Sequence, residues 1–220
     1  MNRIDPKLAA TLRQPRELID AGLAPVDAVA ELEQVAARYA VAVTPELVAL
    51  IDPADPADPI ARQFIPSADE LVEQPGENAD PIGDDARSPV GGIVHRYPDR
   101  VLFKLVHVCA VYCRFCFRRE MVGPGKASAL SDDAYRAGLD YIRSHPEIWE
   151  VILTGGDPLM LSPRRLAEIM ADLAAIDHVK IIRIHSRVPI ADPERINPEM
   201  IAALRVEGAT RSEEHTSELQ

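Results

Sequence analysis

The sequence predicts an α/β fold on a parallel sheet, open or closed into a barrel, preceded by a helical region. Two observations carry that prediction. From residue 100 onward, β-rich runs alternate with amphipathic helical runs, the signature of βαβ units. The residues of unusual type fall where each β-rich run stops, the edge at which α/β folds build their sites.

Residues 1–66 read as helical. Val26, Val29, Leu32, Val35 and Tyr39 recur at helical spacing in VDAVAELEQVAARYA. Thr44-Pro45-Glu46 offers a cap residue followed by proline at the first helical position. In DPADPADPI each proline resists helix at the aspartate before it, so this short repeat predicts a chain of turns and caps. Residues 67–93, rich in Pro, Gly, Asp and Glu, read as a linker or wrapping segment.

The α/β part follows. VLFKLVHV (101–108) is a first strand ending at Cys109. SDDAYRAGLDYIRSH (131–145) is a helix capped by Ser131, with Tyr135, Leu139 and Ile142 on its apolar face. WEVILTGGDP holds a second strand, 149–153, that stops in a Gly-Gly turn. SPRRLAEIMADLAAI (162–176) starts on Ser-Pro and aligns Leu166, Ile169, Met170 and Leu173. VKIIRIHSR (179–187) is the third strand. Residues 211–220, RSEEHTSELQ, have no apolar period and resemble the in-frame translation of a common short-read sequencing adapter. The expectation is an artefactual tail, with the native sequence ending near Thr210 and a fourth strand broken off before it begins.

A net charge of -11 leaves no basic surplus to neutralise phosphates, which argues against nucleic acid as a partner. No apolar run approaches the roughly 20 residues that cross a bilayer, and Met-Asn-Arg-Ile-Asp lacks the apolar core of a signal peptide. The expected setting is the cytoplasm, where clustered thiols stay reduced.

All three cysteines lie within HVCAVYCRFCFRRE, spaced C-x-x-x-C-x-x-C at Cys109, Cys113 and Cys116. An odd number so closely spaced is no disulfide framework. A zinc site would need a fourth ligand, which His107 or a distant residue could supply. A redox pair would leave one thiol unexplained. A [4Fe-4S] cluster on three thiolates uses them all and leaves one iron open to a substrate or cofactor. That last reading fits the spacing best, with the other two as alternatives.

With its aromatic residue, Phe115, before the last cysteine, this pattern resembles the radical S-adenosylmethionine (SAM) enzymes. The resemblance implies a partial (β/α) barrel over residues 94–210, with the open iron chelated by the methionine part of SAM. An electron from the cluster then releases a 5′-deoxyadenosyl radical. It also implies SAM contacts from Phe115 and from the turn Gly155, Gly156 and Asp157, whose carboxylate would accept from the cofactor's ammonium. SPVGGIVHRYPDRVLFK, CRFCFRRE, ILTGGDPLM, IRIHSRVPI and AVTPELVALIDPADPADPIARQFIP narrow the likeness to the lysine 2,3-aminomutases.

For such an enzyme the resemblance implies pyridoxal phosphate, with Arg96, Tyr97 and Arg100 approaching its phosphate. Without the resemblance, those three read as a solvated turn before the strand. It implies that Arg118 grips the substrate's α-carboxylate through its planar fork. Arg187 is a further partner for an anionic group or a structural ion pair, and His185 a packing or hydrogen-bonding residue. The implied reaction is a 1,2-amino shift from L-lysine to β-lysine. A flavodoxin- or ferredoxin-type electron donor and a homo-oligomer go with it. Phe117 and the IHSR stretch look more like relatives acting on a lysine of translation elongation factor P, the alternative substrate. A zinc- or cluster-stabilised binding module is the non-catalytic alternative. Lys7, Lys104, Lys126 and Lys180 are the only lysines, and none matches the family's pyridoxal-binding position. This chain is therefore expected to carry about half of an enzyme and to be inactive by itself as an aminomutase.

Overall fold

The computed structural model describes residues 10–207 and the backbone of 210–214. The chain divides into two compact units. One comprises residues through Pro81 together with Ala110–Lys126; the other comprises Ile82–Cys109 together with the residues from Ala127 onward.

The first unit is made of short helices. α1 (Pro15–Asp20) starts under Glu17, whose Oε2 accepts from the backbone N–H of Arg13 at 2.6 Å and of Gln14 at 2.9 Å. α2 (Val29–Arg38) buries Leu32 and Val35 and gives way to extended backbone at Tyr39. Val26, placed by periodicity on the apolar face, lies instead in a 3₁₀ turn and is 77% exposed. α3 (Pro45–Val48) begins at the expected Thr44-Pro45 signal but lasts four residues, and α4 (Ala61–Phe64) is equally short. Between them, Asp52, Asp55 and Asp58 each accept from a backbone N–H two residues on, at 3.0, 2.8 and 2.9 Å. The Asp-Pro repeat is thus a run of aspartate-closed turns.

The segment 67–93, read as a linker or wrapping segment, holds two 3₁₀ turns. Ser67 and Glu70 cap a 3₁₀ turn, Ala68–Leu71, reciprocally: Ser67 Oγ accepts from Asp69 N and Glu70 Oε1 accepts from Ser67 N. A second 3₁₀ turn covers Asp85–Arg87.

The second unit holds a five-stranded sheet in the order β1 to β5. β1 (Ile93–Tyr97) is antiparallel to β2 (Arg100–Val106), and β3 (Glu150–Gly155), β4 (Ile181–His185) and β5 (Thr210–Glu214) continue parallel from β2. α5 (Asp132–Arg143) connects β2 to β3, α6 (Pro163–Ala174) connects β3 to β4, and α7 (Val188–Ala191) and α8 (Pro198–Ala203) lie between β4 and β5. The expected α/β class therefore holds, as an open and mostly parallel sheet.

Ser131 and Ser162 cap α5 and α6 by accepting from Ala134 N and Arg165 N, both at 3.3 Å. Tyr135, Leu139 and Ile142 of α5 are buried, as are Leu166, Ile169, Met170 and Leu173 of α6. Each such aliphatic side chain contributes about 1.5–3 kcal/mol. A Cβ on Gly138 would sit 2.8 Å from the Phe103 ring, so α5 lies against β2 only because that position has no side chain. β3 is buried from Glu150 to Thr154, as a central parallel strand covered on both faces requires.

Two strands escaped the sequence. β1 covers Arg96 and Tyr97, which without the resemblance read as a solvated turn. β5 pairs Thr210–Glu214 with all five residues of β4, although no apolar pattern marks it. Strand pairing uses backbone groups, so an open edge can take a partner that periodicity does not announce.

Candidate functional site

The three parallel strands bearing the unusual residues end at one edge of the sheet. β2 passes through His107 and Val108 to Cys109, and β3 passes from Gly155 through Gly156 to Asp157. Beyond the ladder the two chains stay zipped: Gly156 N donates to Val106 O at 2.5 Å and Asp157 N donates to Val108 O at 2.8 Å. A Cβ on Gly155, where φ is +112°, would lie 2.4 Å from Val106 O. One on Gly156 would lie 2.3 Å from Val108 O and 2.7 Å from its N. The two glycines admit the chain's own backbone, and that backbone leads straight into Cys109.

Asp157 is 4% exposed. Its Oδ1 accepts from Leu159 N at 3.0 Å and from Ser186 Oγ at 2.8 Å; its Oδ2 accepts from Arg187 N at 2.7 Å and from Val188 N at 3.2 Å. Burial pushes the carboxyl above its usual range, and these donors pull it back. The carboxylate expected to take a cofactor ammonium is thus occupied by protein donors. It ties the end of β3 to the turn after β4, which makes Asp157 a positioning residue. The His-Ser-Arg stretch contributes mainly through Ser186 Oγ and the Arg187 backbone.

In the first unit, Cys113 and Cys116 are half-buried on a loop of consecutive turns: Cys116 N donates to Cys113 O, Arg119 N to Cys116 O and Met121 N to Arg118 O. Phe115 is 77% exposed. Arg118 is buried and its guanidinium lies 4.5 Å over the Phe117 ring. Arg114, between the two cysteines, turns inward. Its Nε and Nη2 donate to the two oxygens of Glu70 at 2.9 and 2.7 Å, and its Nη1 donates to Ala40 O at 2.8 Å. Neither Glu70 nor Arg114 was singled out by sequence; the Arg in CRFC carried no signal beyond its place between two thiols.

None of the three cysteines forms a disulfide. Among the described residues no three His, Cys, Asp or Glu side chains are gathered as a metal site. Three thiols on one short, turn-rich loop are nevertheless the soft donor set that iron–sulfur clusters take, and metal binding closes such loops around the ion. Burial, seconded by Lys104, lowers the pKa of His107 and favours its neutral form.

Arg96, Tyr97 and Arg100 stand at the amino end of β2, about 20 Å of strand from its cysteine end. Arg96 Nη2 donates to Ile82 O and lies 3.5 Å from Asp84. Arg100 donates to Asp99 at 3.0 and 2.8 Å and lies 3.4 Å from Glu150, which also holds Arg183 at 2.6 Å. Both cations expected to meet a phosphate are engaged by carboxylates. In this arrangement the set does not form a phosphate cradle.

The Arg100 hydrogen bonds, followed by that of the Trp149 indole, push Asp99 down from 3.8 to about 2. A depressed carboxyl keeps its contacts above the unfolded pKa and loses them only as pH falls through the folded one. The N–H resonance of Trp149, the only tryptophan and 3.2 Å from Asp99, is therefore expected to stay unchanged between about pH 5 and about pH 3. Titration across that interval, followed by NMR, would contradict the pairing.

Cys109 follows the end of a parallel strand of an α/β sheet, and residues 103–211 match the family model described as Radical SAM superfamily. The chain is 44% identical over 164 residues to L-lysine 2,3-aminomutase of Clostridium subterminale, covering 74% of this chain and 39% of that protein. It is 40% identical over 176 residues to L-lysine 2,3-aminomutase of Methanococcus maripaludis (80% and 40%), and 37% identical over 174 residues to glutamate 2,3-aminomutase of Clostridioides difficile (79% and 41%). The chain belongs to the lysine 2,3-aminomutase family of radical SAM enzymes. It spans about two fifths of the length of these relatives.

Proposed function

We propose that this chain is the cluster- and SAM-binding part of an aminomutase that moves the amino group of free L-lysine from the α- to the β-carbon. The observation that supports it best is the junction of β2 and β3, where Gly155, Gly156 and Asp157 hold the backbone that leads into Cys109. Cys109, Cys113 and Cys116 would hold the cluster, and Phe115 with the Gly155–Gly156 backbone would contact SAM. When bound, these two groups supply one-electron chemistry that no side chain provides.

The chain's own residues do the positioning. Asp157 fixes the two strand ends against one another. Arg118, buried with its fork over Phe117, would orient a substrate carboxylate. Identity to the lysine enzymes runs from 37% to 44% and to the glutamate enzyme is 37%, so lysine is favoured over glutamate by the upper end of that range. An electron donor of flavodoxin or ferredoxin type, self-association and a cytoplasmic setting belong to the same reading. No helix among the described residues is long and apolar enough to cross a membrane.

Anaerobic reconstitution tests the proposal in two stages. The 220-residue chain should take up iron and sulfide, about four of each, with absorbance near about 400 nm. One zinc per chain and no iron would support the binding-module alternative. The product of the whole reading frame should then form β-lysine from free L-lysine. Conversion of a lysine on elongation factor P alone, or of glutamate alone, would reassign the substrate.

A further inference from the structure

We propose that Glu70 and Arg114 form the latch that shapes the cysteine loop for its cluster, with Glu70 as a positioning residue contributed from outside the motif. The proposal rests on the reading that Cys113 and Cys116 bind iron. Arg114 sits between these cysteines, yet its side chain is only 6% exposed and that of Glu70 only 12%. Exposed ion pairs fix little. This one is buried and two-pronged, and the third guanidinium nitrogen is satisfied by Ala40 O, so the pair has one geometry and holds it.

Its effect on the loop is directional. Arg114 N donates to Gln63 O at 2.8 Å and Tyr112 N donates to Ala42 O at 3.2 Å, so the backbone on both sides of Cys113 is stitched down. Phe115 and the two cysteines are left outward of that anchor, with Phe115 77% exposed and the cysteines half-buried. Glu70 is itself held, since its Oε1 also accepts from Ser67 N at 3.1 Å across the 3₁₀ turn. Arg119, 3.9 Å from Glu70, adds a second cation to the same carboxylate. The anchor therefore fixes the spacing between two thiols before iron arrives, the task that outer partners perform for metal ligands.

The test uses the reconstituted 220-residue chain challenged with an iron chelator at a temperature where the apo-protein keeps its far-UV circular dichroism. Glu70→Gln and Arg114→Lys should each release iron about tenfold to a hundredfold faster than the unmodified chain. Because both break one pair, the double variant should be no faster than the worse single. Leu18→Ala is the control: Leu18 is fully buried in α1 of the same unit and is no member of the Glu70–Arg114 pair, so its loss lowers melting while leaving both partners of the pair in place. It should retain iron as the unmodified chain does. Equal iron loss from Leu18→Ala would show that the pair acts through stability alone and would overturn the latch. So would firm retention by Glu70→Gln in a chain that loads iron. An unmodified chain that loads none would overturn the cluster reading itself, and the latch with it.

Discussion

Cys113→Ser is expected to reduce reconstituted iron from about four per chain to below about one, with loss of the absorbance near about 400 nm. Serine preserves volume and a polar head, so packing at this half-buried position changes little and the fold should lose no more than about 1 kcal/mol. The donor changes in kind. A thiolate is a soft ligand with high affinity for iron–sulfur centres, whereas a hydroxyl is hard and stays protonated at neutral pH. With three protein ligands as the whole set, losing one leaves two, too few to hold the cluster and keep one iron open. Iron and sulfide analysis of the anaerobic variant, beside its thermal melt, separates loss of ligand from loss of fold. A variant that kept its iron would remove Cys113 from the site.

Asp157→Ala is expected to destabilise the sheet-bearing unit by about 3–5 kcal/mol, a fall in melting temperature on the order of 10 °C. Alanine deletes an acceptor of four hydrogen bonds in a place water does not reach. The Ser186 hydroxyl and the backbone N–H groups of Leu159 and Arg187 then lose their acceptor around a void, while Val188 N keeps Ser186 Oγ at 3.0 Å. Asp157→Asn should be nearly as harmful, because one amide end presents N–H where Arg187 N and Val188 N already donate. Thermal denaturation of the apo-protein measures this without any cofactor. A loss below about 1 kcal/mol would mean the four donors find other partners. If Asp157 instead served mainly as a cofactor ligand, stability would change little and only SAM affinity would fall.

Much of the fold was legible. The two long helices of the sheet-bearing unit announced themselves through Ser131 and Ser162 and through buried faces at i, i+3 and i+4, since a helix must hide one stripe. β2, β3 and β4 were legible as short apolar runs, with ends one or two residues away from where hydrogen bonding puts them. β1 was not. Its hairpin turns on Pro98-Asp99, and among the described residues only glycines have positive φ, so the Asn-Gly or Asp-Gly mark of a tight hairpin is missing. β5 was hidden for a different reason: an edge strand lends its backbone and needs no apolar code.

By itself the sequence determined the chemistry: three thiols at fixed spacing, glycines where β3 ends, and the order in which strands deliver them, because ligand type and local periodicity are written residue by residue. Only the tertiary structure decided what the neighbouring polar groups do. Asp157 ties the ends of two strands, Arg100 and Arg96 found carboxylates at the far end of the sheet, and Glu70, in a stretch read as linker or wrapping segment, took hold of Arg114. Those assignments depend on which donor meets which acceptor once both have left water, and partners 30 or 44 residues apart leave no mark on the local pattern that either one shows.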